Sequence, residues 1–226
     1  MASPHGNLLL LFRYTGGYRM KASIAKFLFA TTDPHAFPPE GPPEFAFLGR
    51  SNVGKSSLIN SLLGEKVAHV SSTPGRTRTI NFIGIYSNPG QPHPEMLLVD
   101  LPGYGYAKIS REISAEWPKF IEPYLQDRKT LRLCVVLIDA NIPAQAPDHK
   151  LISYLQHTQR EFLVVGTKAD KLSANKLRNA LGTLARDHGI SEILPYSSKT
   201  GAGRTELWRA IRARVAEHAA HAQAAE

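Results

Sequence analysis

The sequence predicts a three-layer α/β sandwich, with helices on both faces of a mostly parallel sheet, on three observations. Continuous apolar runs of strand length, at 131–138 and 162–165, read as strands buried on both faces. Stretches with a helical apolar period, at 148–159, 174–188 and 204–219, alternate with them. A glycine-rich turn between an apolar run and a helical pattern, FAFLGRSNVGKSSL at 45–58, opens the series. The 226 residues, 42% hydrophobic and 20% charged, suffice for one core and exclude a disordered class.

Residues 1–40 read as an N-terminal extension that mixes basic and apolar residues and leads into a proline-rich connector at 37–43. Met20 offers a second possible start. A domain follows over 41–219, and 220–226 reads as a flexible alanine-rich tail. Within the domain, Phe45 to Leu48 form a strand and Leu58, Leu62 and Leu63 mark a helix. The polar segment 65–79 is a loop, 80–86 and 96–99 pair as a hairpin across the turn at 87–94, and Asp100 ends the second strand. A helix over 111–127 is interrupted by Pro118 and Pro123. Residues 192–196 supply a last strand, and Leu207, Ile211 and Val215 form the inward stripe of the final helix.

Lys and Arg outnumber Asp and Glu by 27 to 19, for a formal charge of +8, which favours polyanionic partners such as RNA. The single cysteine, Cys134, lies in an apolar run, so it packs in the core and no disulfide closes within the chain, in keeping with a cytoplasmic protein. The apolar run at 8–12 is too short to span a membrane. His218 and His221 stand three apart without further ligands and face solvent.

Gly49 to Ser56 match G-x-x-x-x-G-K-[ST], in which the backbone curls around a polyphosphate with its N–H groups inward. Gly49 and Gly54 permit the turn, Lys55 reaches the β and γ phosphates, and the Ser56 hydroxyl is placed to ligate Mg²⁺. Asp100-Leu101-Pro102-Gly103 is a D-x-x-G, with a carboxylate for Mg²⁺ and the Gly103 N–H for a γ-phosphate. In Thr167-Lys168-Ala169-Asp170 the Asp170 carboxylate can accept the N1–H and N2–H₂ donor pair of guanine, which adenine lacks. That disfavours an ATPase or kinase. Lys168 would cover the base, and Ser197-Ser198-Lys199 would close its pocket.

GRSNVGKSSLIN, TPGRTRTINF, DLPGYGYA, TKAD and SSKTG together resemble the translation-factor-related P-loop GTPases, and within them the EngB (YihA/YsxC) family of bacterial GTPases, over about residues 21–215. The resemblance implies a Ras-like P-loop GTPase domain whose six-stranded, mostly parallel sheet has one antiparallel edge strand, Mg²⁺-dependent binding of GTP and GDP, and a monomer. It also implies a role in maturation of the large ribosomal subunit, through its rRNA, and in cell division and septation. By position it gives phosphate and nucleotide contacts to Gly49, Arg50, Ser51, Asn52, Val53, Gly54, Lys55, Ser56 and Ser57. It extends them to Gly75, Arg76, Thr77, Arg78 and Thr79, to Asp100 through Gly103, and to Thr167, Lys168, Ala169, Asp170, Ser197, Ser198 and Lys199.

Metal ligation falls to Ser56, Asp100 and the switch threonine, Thr77, with Thr73 or Thr79 as alternatives. The place after D-x-x-G that holds a water-orienting glutamine in Ras-like enzymes holds Tyr104, so intrinsic hydrolysis is expected to be slow without a potassium ion or a partner, with Lys55, Thr77 and Asn52 the catalytic groups. Asn52 matches the asparagine that coordinates K⁺ in potassium-activated GTPases, or else braces its loop. Tyr104 and Tyr106, with Arg76, Arg78, Lys108 and Arg111, are candidates for stacking on RNA bases and contacting phosphates, or else pack and solvate locally. Three readings stand open: a slow ribosome-assembly GTPase, a GTP-dependent adaptor in division without RNA binding, and a catalytically idle switch.

Overall fold

The computed structural model describes residues 24–68, 79–104 and 121–224, with side chains to residue 221. Strands run over β1 (Ile24–Thr31), β2 (Glu44–Gly49), β3 (Ile80–Tyr86), β4 (Met96–Asp100), β5 (Leu131–Asp139), β6 (Phe162–Thr167) and β7 (Leu194–Pro195). Helices are α1 (Lys55–Leu63), α2 (Glu122–Asp127), α3 (Ala146–His157), α4 (Ala174–His188) and α5 (Arg204–Ala224). They form one mixed sheet in the order β1-β3-β4-β2-β5-β6-β7.

The side-chain period of the strands sorts two cores from unbroken apolar sequence. Phe45 and Phe47 of β2 pack with Leu58, Ile59 and Leu62 of α1 and with Leu207, Trp208 and Ile211 of α5. Ala46 and Leu48 face the other way, onto Tyr124 of α2, Leu151, Ile152 and Leu155 of α3, and Leu184 of α4. Each such buried Phe or Leu stabilises the fold by about 1.5–3 kcal/mol. Cys134 belongs to this second core, and burial pushes its thiol up to about 12, so it packs as an apolar residue, as expected.

The sheet has seven strands rather than six. The additional one, β1, comes from the stretch expected to be an extension and pairs antiparallel with β3, Ile24 opposite Tyr86 and Thr31 opposite Ile80. β3 is the strand that runs against its neighbours, and with β1 beside it β3 is internal rather than an edge. Phe29 stacks on Phe82 at 4.8 Å between ring centroids, and Phe37 meets Tyr124 edge-on at 5.6 Å, so the connector is pinned to the core. Pro123 lies in the first turn of α2, where its missing N–H costs no helical hydrogen bond. At the other end, α5 continues through residues 220–224, part of the stretch expected to be a flexible tail.

Candidate functional site

β2, β4, β5 and β6 are parallel, and the loops that leave their C-terminal ends converge at one edge of the sheet, where ligands of open α/β sheets bind. The loop after β2 is shaped by its backbone. A Cβ on Gly49 would lie 2.8 Å from Val53 Cγ1 and 3.1 Å from the Leu137 carbonyl, so only glycine fits there. Asn52 (φ 65°) and Gly54 (φ 105°) adopt the left-handed region, which asparagine tolerates better than most side chains. Gly54 is the N-cap of α1 and supplies no side-chain cap, so the first N–H groups of that nine-residue helix stay open to an anion.

Lys55, at the start of α1, ion-pairs with Oδ1 of Asp100 at the end of β4, and both groups are buried. Ser56 and Ser57 follow, half-buried on the first turn of the helix. Leu101 and Pro102 are buried, and the Leu101 N–H donates to the Phe47 carbonyl (3.2 Å). A Cβ on Gly103 would stand 3.2 Å from the Cα and the N of Ser51, so the D-x-x-G lies directly against the phosphate loop. The Ser51 N–H donates to the Tyr104 carbonyl (2.9 Å), and the Tyr104 N–H to Gly49 (3.4 Å).

Tyr104 is buried, and its hydroxyl donates to Asp148 Oδ1 at 3.0 Å. Burial first, and then the neighbouring Asp148 carboxylate, push its pKa well up. It packs locally and is not placed to stack on RNA bases. Tyr106, Lys108 and Arg111, with Thr73, Gly75, Arg76, Thr77 and Arg78, lie outside the described residues. Thr79 is described, and its hydroxyl donates to Asn81 Oδ1 (2.9 Å).

The loop after β6 is tied to the loop after β2. Buried Thr167 places its hydroxyl 2.8 Å from the Val53 carbonyl and 3.1 Å from that of Ile138. Lys168, in the left-handed region at φ 58°, donates from Nζ to the Asn52 carbonyl (3.1 Å) and to Asp139 Oδ2 (2.8 Å). Asn52 therefore braces the loop through its backbone, while its side chain is exposed. The Ala169 N–H donates to Tyr196, and the Ser197 hydroxyl donates to Asp170 Oδ1 at 2.6 Å. Ser197 Oγ also accepts from the amides of Lys199 and Thr200 (3.2 and 3.1 Å), which sets the loop that carries half-buried Ser198 and exposed Lys199. The Ser197 hydrogen bond holds the exposed Asp170 carboxyl below the usual range, and therefore ionised.

Three contributors escape sequence reasoning. Asp139 ends β5 and accepts from Lys168 Nζ and from the amide groups of Asn141, whose Nδ2 also donates to the Lys168 carbonyl (3.1 Å). Burial tends to raise the Asp139 pKa, but the Lys168 and Asn141 hydrogen bonds outweigh it and hold it low. A carboxylate closing an apolar strand is the signal that marked Asp100, and it marks Asp139 equally. Asp148, on α3, carries no such signal, because its partners Arg50 and Tyr104 are distant in sequence.

The family model described as "50S ribosome-binding GTPase" matches residues 44–168. A "Probable GTP-binding protein EngB" from Koribacter versatilis is 52% identical over 188 residues, 83% of this chain and 92% of that protein. One from Acidobacterium capsulatum is 56% identical over 197 residues, 87% of this chain and 93% of that one. Among solved structures, a probable GTP-binding protein EngB matches with a TM-score of 0.58 at 22% identity, covering 77% of this chain and 99% of that chain. The structure of Era in complex with MgGDPNP and nucleotides 1506–1542 of 16S ribosomal RNA matches with a TM-score of 0.58 at 26% identity, covering 75% of this chain and 55% of Era. Among the described residues, no helix is long and apolar enough to cross a membrane.

Proposed function

The chain belongs to the EngB family of bacterial P-loop GTPases, and from that premise we propose that it is a slow, Mg²⁺-dependent GTPase acting in assembly of the large ribosomal subunit and in normal cell division and septation. The observation that carries nucleotide recognition is the cross-linking of the two ends of the site: Lys168 and Thr167 of the base-reading motif bond the carbonyls of Asn52 and Val53 in the phosphate loop. One ligand with a guanine at one end and phosphates at the other satisfies both. Asp170 accepts the guanine donor pair, and Ser197 orients its carboxylate. Calorimetric titration with GDP, XDP and ADP tests this. Asp170→Asn should weaken GDP binding by about 100-fold or more and turn preference towards XDP, because an amide presents a donor where guanine also presents one.

The donor set fits Mg²⁺: hard oxygens on Ser56 and Asp100, few in number, as suits an ion that keeps waters and substrate phosphates in its shell. No group of three or more acidic, histidine or cysteine side chains forms a metal site among the described residues, and this ion needs none. Ser56, Asp100 and Thr77 would hold it, and when bound it neutralises charge on the β and γ phosphates. The engagement of Thr79 with Asn81 favours Thr77 over Thr79 as the switch threonine. Thr77→Ala should weaken GTP-analogue binding more than GDP binding.

Lys55, which pairs with Asp100, supplies positive charge at the mouth of α1 to the phosphates. Tyr104 is turned inward onto Asp148, so its side chain does not orient the attacking water, and slow turnover follows. The exposed Asn52 side chain, an oxygen donor beside the loop, is the candidate K⁺ ligand. Faster turnover in KCl than in NaCl at matched ionic strength is expected, and Asn52→Asp should change the ratio.

A ribosomal partner is supported by the matched family's description, by the rRNA in the Era complex and by the charge of +8. The protein is read as a cytoplasmic monomer. Cosedimentation with purified 50S subunits, and not 30S, in a non-hydrolysable GTP analogue but not in GDP, is the expected result.

A further inference from the structure

The root of the D-x-x-G loop is fastened by a side chain outside the nucleotide motifs. Asp148, in the first turn of α3, is 2% exposed and divides its two oxygens. Oδ1 accepts from the Tyr104 hydroxyl at 3.0 Å, and Oδ2 accepts from Arg50 Nε at 3.1 Å. Tyr104 directly follows Gly103, and Arg50 directly follows Gly49. The same two residues meet through their backbones in a parallel bridge, reinforced by the bond from the Ser51 N–H to the Tyr104 carbonyl. Between these two fastenings Gly103 lies close against Ser51, where a Cβ would stand 3.2 Å from its backbone. Among the described residues the backbone gives this junction two hydrogen bonds, Ser51 N–H to Tyr104 and Tyr104 N–H to Gly49.

We propose that Asp148 is a positioning residue for GTP hydrolysis: by holding Tyr104 and Arg50 together it fixes Gly103 against the phosphate loop, at the height where its N–H meets the γ-phosphate. This rests on the reading of Asp100 to Gly103 as the γ-phosphate sensor. Asp148 itself acts only through Tyr104 and Arg50. Burial raises the Asp148 pKa above the ordinary carboxylate value, and Arg50 and the Tyr104 hydroxyl pull against that rise. A rigid carboxylate on a helix suits this task better than a loop residue, since its geometry is set by α3 packing on the sheet.

The test compares Tyr104→Phe, Asp148→Ala and the double variant for kcat and KM with GTP, for Kd with GDP, and for melting temperature. Each single change should lower kcat by about 10-fold while Kd for GDP moves less than about 2-fold, and the double variant should lose no more than Asp148→Ala alone, because that change already removes the Tyr104 link. The proposal is overturned if folded variants keep the parent kcat, if GDP affinity falls as far as kcat, or if the losses multiply. Should Asp148→Ala fail to fold, Tyr104→Phe, which keeps the ring packing, decides alone by the same kcat and GDP criteria. Absence of GTP turnover in the unsubstituted protein would overturn the reading beneath the proposal, and the proposal with it.

Discussion

His188 is 1% exposed, and neither of its ring nitrogens finds a hydrogen-bond partner among the described residues. Its ring stacks on His149 at 6.0 Å, and burial lowers its pKa below the ordinary 6.5. The sign follows from linkage: the unfolded chain takes up this proton at a higher pH than the folded one, so stability falls as pH drops through about 6.5. Melting temperature should therefore decline between pH 7 and pH 5, and His188→Leu should make that slope shallower. The slope should not vanish, since burial also lowers the pKa of His218. Asp139 acts in the same direction at lower pH. Its pKa is lowered, so the stability it contributes is present above the ordinary carboxylate value of 3.8 and is lost on further acidification. Residues of this kind divide by legibility. Asp100 and Asp170 stand in motifs whose spacing carries their chemistry, whereas His188 and Asp148 take their meaning from side chains that only the folded chain brings near.

At the scale of elements, β2 begins with a buried carboxylate. Glu44 accepts from the Tyr124 hydroxyl (2.8 Å), Arg128 Nε (2.9 Å) and the Thr130 hydroxyl (2.8 Å), and so ties the start of β2 to the segment between α2 and β5. Glu44→Ala would leave the buried Arg128 guanidinium uncompensated, and urea denaturation should show a loss of about 3–5 kcal/mol. The loop after β7 is fixed by Gly203, at φ +82°, where a Cβ would stand 2.1 Å from the Pro195 carbonyl. Gly203→Ala should displace Ser197 and its hold on Asp170, and so lower GDP affinity together with stability. The buried strands were legible because burial on both faces demands unbroken apolar sequence. β1 was not: its sequence IAKFLFAT has no fully buried residue, with Lys26 and Phe27 exposed at the sheet edge, and its pairing with β3 leaves no local mark. β7, with two residues, is shorter than its apolar pattern, since only Leu194 and Pro195 reach the β6 register.

For the molecule as a whole, the charge of +8 makes any RNA contact dependent on salt. Binding to 50S subunits should fall linearly on a plot of log affinity against log salt, with a slope that counts the phosphates contacted. The sheet also sets what the chain tolerates at its N-terminal side. Removal of residues 1–31 would strip β1 from β3 and uncover Phe82, and lower melting temperature with concentration-dependent aggregation is the expected outcome. The architecture was readable at this scale from alternation alone, and the reversal of β3 came from the hairpin signal at 87–94. The order of assembly was not, and it has a consequence during synthesis. About sixty residues separate Ile24 from its register partner Tyr86, so at roughly 5–20 residues per second β1 leaves the ribosome several seconds before its partner exists. Through that interval Phe27, Leu28 and Phe29 travel as an unpaired apolar segment, a window in which nascent-chain chaperones and misfolding compete for the same strand.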